Sequence, residues 1–241
     1  MKYLIIGGVA GGATTAARLR RLDEKSEIIV FERGEYISYA NCGLPYYIGG
    51  IIKDRDQLFV QTPESFGQRF NLEVRNLSEV LSIDRRKKEV LVKDIRNGSE
   101  YRESYDKLIL SPGAEPIKPM LPGINQEGIF TLRNVPDTDK IKQYIEQKQA
   151  RHALVVGAGF IGLEMAENLH HAGLKVTIVE MAEQVMTPLD YSMAALVHQH
   201  LKTKNVEFYL QTSDPDIYAL GDAIEFENPV THTNMISYLA G

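Results

Sequence analysis

Residues 153–180 read ALVVGAGFIGLEMAENLHHAGLKVTIVE, and this stretch decides the fold. The apolar run Ala153–Val156 meets the turn Gly157-Ala158-Gly159-Phe160-Ile161-Gly162, after which a helical pattern runs to His171. A second apolar run, Lys175–Val179, ends in Glu180. Strand, glycine-rich turn, helix, strand and acid make up a βαβ unit. Its turn amides and helix N-terminus suit a pyrophosphate, and its acid suits a ribose hydroxyl.

The chain opens on the same order. A strand is expected at Lys2–Ile6, then the turn Gly7-Gly8-Val9-Ala10-Gly11-Gly12, a helix from Gly11 to Leu22, a strand Glu27–Phe31, and Glu32. Glu180 follows Gly157 by 23 residues and Glu32 follows Gly7 by 25. In the first copy Val9 stands where the middle glycine would be. Two copies, each with its strand, helix and acid, imply two dinucleotide sites on an α/β chain. Glu180 would repel the extra phosphate of NADP, and Met181 and Ala182, not an arginine, follow it. The second site therefore leans towards NAD.

Between the copies the pattern changes. Ser38–Gly50 is irregular and rich in Gly, Pro and Tyr. Thr62-Pro63-Glu64 is a helix start, with a capping hydroxyl, proline at the first helical position and an acid in the first turn. Leu72–Leu110 reads as strands, including Glu79–Asp84 and Glu89–Ile95 about the charged turn Arg85–Lys88. They fit an antiparallel meander inserted into an otherwise parallel sheet. Prolines 116, 119 and 122 mark a linker. After the second copy a helix is expected at about Tyr191–Lys202, a strand at Val206–Leu210, and a strand-like element at Asp216–Leu220 before Gly221-Asp222.

Composition narrows the function classes. Of 241 residues 44% are hydrophobic and 24% charged, which is ordinary for a globular protein, and the net charge is −5. That charge argues against a nucleic-acid binder, and no apolar run approaches a membrane span of about 20 residues. The expected compartment is the cytoplasm. The single cysteine excludes an internal disulfide.

That cysteine, Cys42, lies in Asn41-Cys42-Gly43-Leu44-Pro45. A helix starting there would favour its thiolate. Without a second cysteine it must pair with a small-molecule thiol or persulfide, or oxidise to a sulfenic acid. Arg18 and Arg21, three apart on one helix, share a face that could meet a polyphosphate. His170, His171, His198 and His200 fall on expected helices without a cluster of acids or cysteines, and are read as surface residues without a metal.

The order of glycine-rich turn, SYANCGLPY, LILSPGAEP, VVGAGFIGLEMAENL and DIYALGDA resembles the pyridine-nucleotide-dependent flavoprotein disulfide reductases. Within them it is most similar to the single-cysteine coenzyme A disulfide reductases and their persulfide-reductase relatives. The resemblance implies a pair of Rossmann-like units, the FAD/NAD-linked reductase fold, with residues 1–118 plus 213–241 binding FAD and 119–212 forming a partial NAD-binding domain. Gly7, Val9, Ala10, Gly11, Gly12, Glu32, Arg33, Gly113 and Asp222 would surround FAD. Gly157, Gly159, Ile161, Gly162 and Glu180 would hold NAD(P)H, NADH being favoured. Cys42 would be the redox cysteine, and Thr14, Arg18, Arg21, Ser38 and Asn41 would help hold coenzyme A.

The implied activity passes electrons from NAD(P)H through flavin and Cys42 to coenzyme A disulfide or a related persulfide. An NADH oxidase or peroxidase cycling a sulfenic acid, and a flavin-binding remnant with little turnover, are the alternatives. Members of the resembled group are homodimers. The second unit is shorter than that pattern requires, because NVEFYL runs directly into QTSDPDIYALGDA, and the dimerisation domain is not seen. The expectation is therefore an incomplete second unit, a half-sheet of three strands with a poorly covered face and edge.

Overall fold

The computed structural model describes residues 1–118, 120 and 122–211, together with strand segments 218–220, 225–227 and 234–236. β1 (Lys2–Ile6) and β2 (Glu27–Phe31) run parallel, with Lys2 opposite Glu27 and Ile6 opposite Phe31. Helix α1 (Ala10–Leu22) crosses between them and buries Gly12, Ala13, Ala16 and Ala17. These small residues recur at helical spacing, so the helix axis can lie close to the strands. Arg20 closes the crossover by donating to the carbonyls of Phe70, Asn71, Asp23 and Glu24.

A single 3₁₀ turn, Asn41–Gly43, leads into α2 (Leu44–Ile48), and a second 3₁₀ turn covers Arg55–Leu58. α3 (Pro63–Phe70) begins as its sequence requires. Thr62 Oγ1 accepts from Ser65 N at 3.1 Å, Ser65 Oγ accepts from Thr62 N at 2.9 Å, and Pro63 opens the helix. It ends at Asn71 in the left-handed region, φ 47°.

β3 (Glu73–Arg75) joins β2 in parallel. β4 (Ser78–Asp84), β5 (Glu89–Asp94) and β6 (Glu100–Ser104) form the expected antiparallel meander as a sheet of their own, and β7 (Lys107–Leu110) returns beside β1. The first sheet is thus parallel in the order β3-β2-β1-β7. Strand alternation sends Ile5, Ile28 and Val30 towards α1 and Phe66 of α3, and Leu4, Ile29 and Phe31 towards Val90 and Val92 of the meander. Both faces are therefore closed. Each such fully buried side chain contributes about 1.5–3 kcal/mol relative to exposure.

α4 (Val135–Lys148) precedes the second sheet and was not expected. The sequence did carry its start, since Asn134 Oδ1 accepts from Asp137 N at 3.0 Å next to Pro136. β8 (His152–Val156), α5 (Phe160–His171), β9 (Lys175–Glu180), α6 (Tyr191–Thr203) and β10 (Glu207–Gln211) then repeat the parallel βαβ pattern.

The expectation of three strands is corrected. β11 (Tyr218–Leu220) pairs antiparallel with β10, giving four strands in the order β11-β10-β9-β8. The segment preceding Gly221-Asp222, expected to accompany the first unit, here extends the second sheet. β12 (Glu225–Glu227) and β13 (Asn234–Ile236) form an antiparallel pair.

The poorly covered face is present. On edge strand β8, Leu154 and Val156 are 63% and 79% exposed, whereas Leu4, the equivalent of Leu154 on β1, is fully buried beneath the meander. The chain divides into two compact units, Met1–Leu44 with Asp54–Asp137, and Pro45–Lys53 with the chain from Thr138 onward. The linker up to Asp137 thus belongs with the first unit, and Pro45–Lys53 with the second. Among the described residues no helix is long and apolar enough to cross a membrane.

Candidate functional site

Each unit builds the same turn. Gly7 and Gly157 take φ of +102° and +100°, which L side chains rarely adopt, and their amides donate at 2.7 Å to the carbonyls of Phe31 and Val179. The last glycine packs helix on strand. A Cβ added to Gly12 would stand 1.7 Å from the Gly7 carbonyl oxygen, and one on Gly162 would stand 2.0 Å from that of Gly157. α1 is capped by Val9 and α5 by Gly159, neither through a side chain, and neither helix has an acid in its first turn. The amides at both helix starts are open to an anion.

The acids repeat as closely. Glu32 accepts from Gly8 N at 2.7 Å and from Gly34 N at 2.8 Å. Glu180 accepts from Ala158 N at 2.6 Å and from Ala182 N at 2.9 Å. A carboxylate offers about four lone-pair sites, so each acid is fixed by its turn and keeps acceptor capacity for a ribose. The second turn stands open, with Phe160 and Ile161 exposed.

The first turn has a further wall. Ser111, at the end of β7, lies against Gly7 and Gly11. Gly113 follows in the left-handed region, φ +71°, beside Arg133, whose guanidinium donates to the Pro112 carbonyl. Arg33 and Arg133 both pair with Glu115, Arg33 at 2.8 Å. Hydrogen bonding from Arg33 holds the Glu115 carboxyl below the usual carboxylate range. Reasoning from the sequence did not find Arg133 or Glu115, which are 18 residues apart and joined only by the fold. Tyr39 is held as the neutral phenol to higher pH by burial and then by the nearby Glu32 charge.

Cys42 is exposed, in the turn Asn41–Gly43 ahead of α2. The segment before it is fixed at several points. Ser38 N donates to Gly8 O at 3.0 Å, Val60 N to Ser38 O at 2.9 Å, and Ala40 N to Leu58 O at 2.8 Å. Ser38 itself sits at φ 46°. The first turn and the cysteine loop are therefore one hydrogen-bonded frame. Thr14, Arg18 and Arg21 form an exposed stripe on α1. Arg20, between them, is spent on structure. Among the described residues no hydrogen bond or ion pair links this stripe to Asn41 or Cys42. Asp222 lies outside the described residues.

One reading is corrected. His198 is not a surface residue: it is half-buried, stacks on Phe208 with ring centroids 5.2 Å apart, and its Nε2 accepts from Val185 N at 3.1 Å. Burial, with Lys202 adding a like charge, pushes its imidazole down to about 4.

Comparison with known proteins agrees with this arrangement. Coenzyme A disulfide reductase of Staphylococcus haemolyticus is 43% identical over 209 residues, covering 87% of this chain and 47% of that protein. The crystal structure of reduced Bacillus anthracis CoADR-RHD matches with a TM-score of 0.85 and 47% identity, over 99% of this chain and 54% of that one. An NAD-dependent persulfide reductase from A. fulgidus matches with a TM-score of 0.82 and 40% identity, over 87% of this chain and 39% of that one. The chain spans about half the length of the curated relatives it matches. With residues 1–213 matching the family model, the chain belongs to the pyridine nucleotide-disulphide oxidoreductase family.

Proposed function

We propose that the protein is an FAD-dependent oxidoreductase that passes electrons from NAD(P)H, NADH being favoured, through Cys42 to coenzyme A disulfide or a related persulfide. The observation that carries this reading is the turn-and-acid unit built twice, with an exposed cysteine on a loop that Ser38 ties by hydrogen bond to the first turn. The first unit fits FAD: the amides of Val9–Gly12 at the start of α1 would take the pyrophosphate, and Glu32, held by Gly8 N, the adenosine ribose. Arg33, Gly113 and Asp222 are assigned to the same cofactor. In the second unit Gly157, Gly159, Ile161, Gly162 and Glu180 would hold the nicotinamide nucleotide. Bound flavin would supply the two-electron relay between a nicotinamide hydride and sulfur.

The chain's own part is sulfur chemistry and positioning. The Cys42 thiolate attacks one sulfur of coenzyme A disulfide, the S–S bond breaks, and one coenzyme A thiolate leaves. Two electrons and a proton then release the second thiol from the Cys42 mixed disulfide. Thr14, Arg18 and Arg21 present donors and positive charge for the nucleotide end of coenzyme A, with Ser38 and Asn41, on the cysteine's own loop, assigned to the same ligand.

Cys42→Ser tests the reading. The variant should keep FAD and lose NADH-dependent reduction of coenzyme A disulfide. Undiminished turnover in the variant, or failure of the folded parent to take up FAD, would sink it. Turnover of peroxide or oxygen without any of the disulfide would favour the sulfenic acid route.

A further inference from the structure

We propose that His198 is a positioning residue for the second nucleotide site, holding the loop after Glu180 in place by accepting the Val185 N–H. This rests on the reading of the second unit as a nicotinamide-nucleotide site. The loop closes a ring of hydrogen bonds around the turn. Glu180 ties Ala158 N to Ala182 N through its two oxygens. Met186, in the left-handed region at φ 52°, donates to the Ala158 carbonyl at 2.9 Å. Between them Val185 is fully buried, so its N–H has no recourse to water, and His198 Nε2 is its acceptor.

The imidazole is itself held by two aromatic neighbours. Phe208 of β10 stacks on one face and Tyr191 meets it edge-on at 6.4 Å. Lys202, one turn further along α6, is the charge that acts on it. On the loop, Glu183 is exposed and Asp190 is spent capping α6 through Met193 N and Ser192 Oγ. On β10, Glu207 pairs with Lys175. The ring is neutral at physiological pH, so Nε2 keeps its lone pair for Val185. Without that acceptor a buried donor is orphaned, and the loop relaxes to hydrate it, taking Met186 from Ala158 and loosening the frame of Glu180.

His198→Phe keeps the stack and removes the acceptor. His198→Gln restores an acceptor at the same reach. In the full chain, His198→Phe should weaken NADH binding, read by nucleotide fluorescence, by about tenfold. FAD affinity should be unchanged, and amide exchange at Val185 should accelerate. His198→Gln should bring both NADH affinity and Val185 protection back towards the parent. His198→Leu repeats the test if the phenylalanine variant does not fold. Parent-like NADH affinity in His198→Phe, or a glutamine variant as weak as the phenylalanine one, would overturn the proposal while leaving the nucleotide reading intact. A parent chain that binds no NADH, yet shows the expected change in Val185 exchange, would mean that the nucleotide reading has failed and the proposal with it.

Discussion

Alanine substitutions at Gly162 and Gly159 separate what the second turn needs to fold from what it needs to bind. A Cβ on Gly162 would lie 2.0 Å from the Gly157 carbonyl oxygen, 3.0 Å from its carbon and 3.6 Å from Val155 Cγ1. Ordinary contact starts near 3.4 Å, so α5 would have to back away from β8 by more than an ångström. Backbone atoms, not a flexible side chain, stand in the way. Overpacking of this kind costs about 1–3 kcal/mol, and a backbone clash belongs at the upper end. At about 2–4 °C per kcal/mol for a chain of this size, Gly162→Ala should lower Tm by roughly 6–12 °C.

Gly159 is the opposite case. Its φ is −78°, which alanine adopts freely, and nothing lies within 4 Å of the added Cβ. The weaker N-cap is offset by a less flexible unfolded chain, so stability should move by no more than about 0.5 kcal/mol. The backbone of Gly159, at ψ −170°, differs from that of Val9 in the first turn, at ψ −130°, and here the methyl would stand before the turn amides, so NADH affinity should fall at least about tenfold. Thermal melts by circular dichroism and NADH titration of both variants are the assays. Parental NADH binding by Gly159→Ala would refute the reasoning about the ligand. An unshifted melt for Gly162→Ala would refute the reasoning about packing.

Acid should find His198. Its folded-state imidazole is depressed from 6.5 to about 4, so as pH falls the unfolded chain takes the proton first. The stability it contributes is complete above about 6.5 and is lost as pH falls towards about 4; denaturant midpoints of parent and His198→Gln compared across that window should converge, and a constant difference would contradict this. The open face of β8 should make the chain self-associate. Leu154→Thr with Val156→Thr, which puts a β-branched residue at both positions, should lower the mass seen by light scattering on a sizing column, and an unchanged mass would show that the face is not responsible.

What was legible in the sequence was local. The two turns, their acids and the Thr62–Ser65 capping box each draw their geometry from residues a few positions apart, and the βαβ period follows from strand and helix spacing. Asn134-Val135-Pro136-Asp137 belongs to the same class, since its helix start is written in the sequence. The rest depends on distant partners. Arg18, Arg20 and Arg21 look alike on a helix, and only the arrival of Phe70 and Asn71 makes Arg20 structural. Nothing near His198 in the chain announces that Phe208 and Val185 will enclose it. The partner of Tyr218–Leu220 is likewise a matter of which strand edge is available.

Topology also explains why the two turns differ in sequence while sharing a backbone. In the first unit β7 lies beside β1, and Ser111 at its end approaches the turn. A Cβ on Gly7 would meet Ser111 O at 1.9 Å, and one on Gly11 would meet Ser111 Oγ at 2.5 Å. In the second unit β8 is the edge of its sheet, no strand end arrives among the described residues, and the position of Gly11 is filled by the exposed Ile161. Gly7 and Gly157 answer to positive φ, Gly12 and Gly162 to the carbonyl beneath them, and Gly11 to Ser111. Gly159 answers to nothing inside the described chain: its backbone suits any residue and its surroundings are open. A glycine without an internal reason, at the start of a helix whose amides are uncapped, is what the proposed nucleotide would require there.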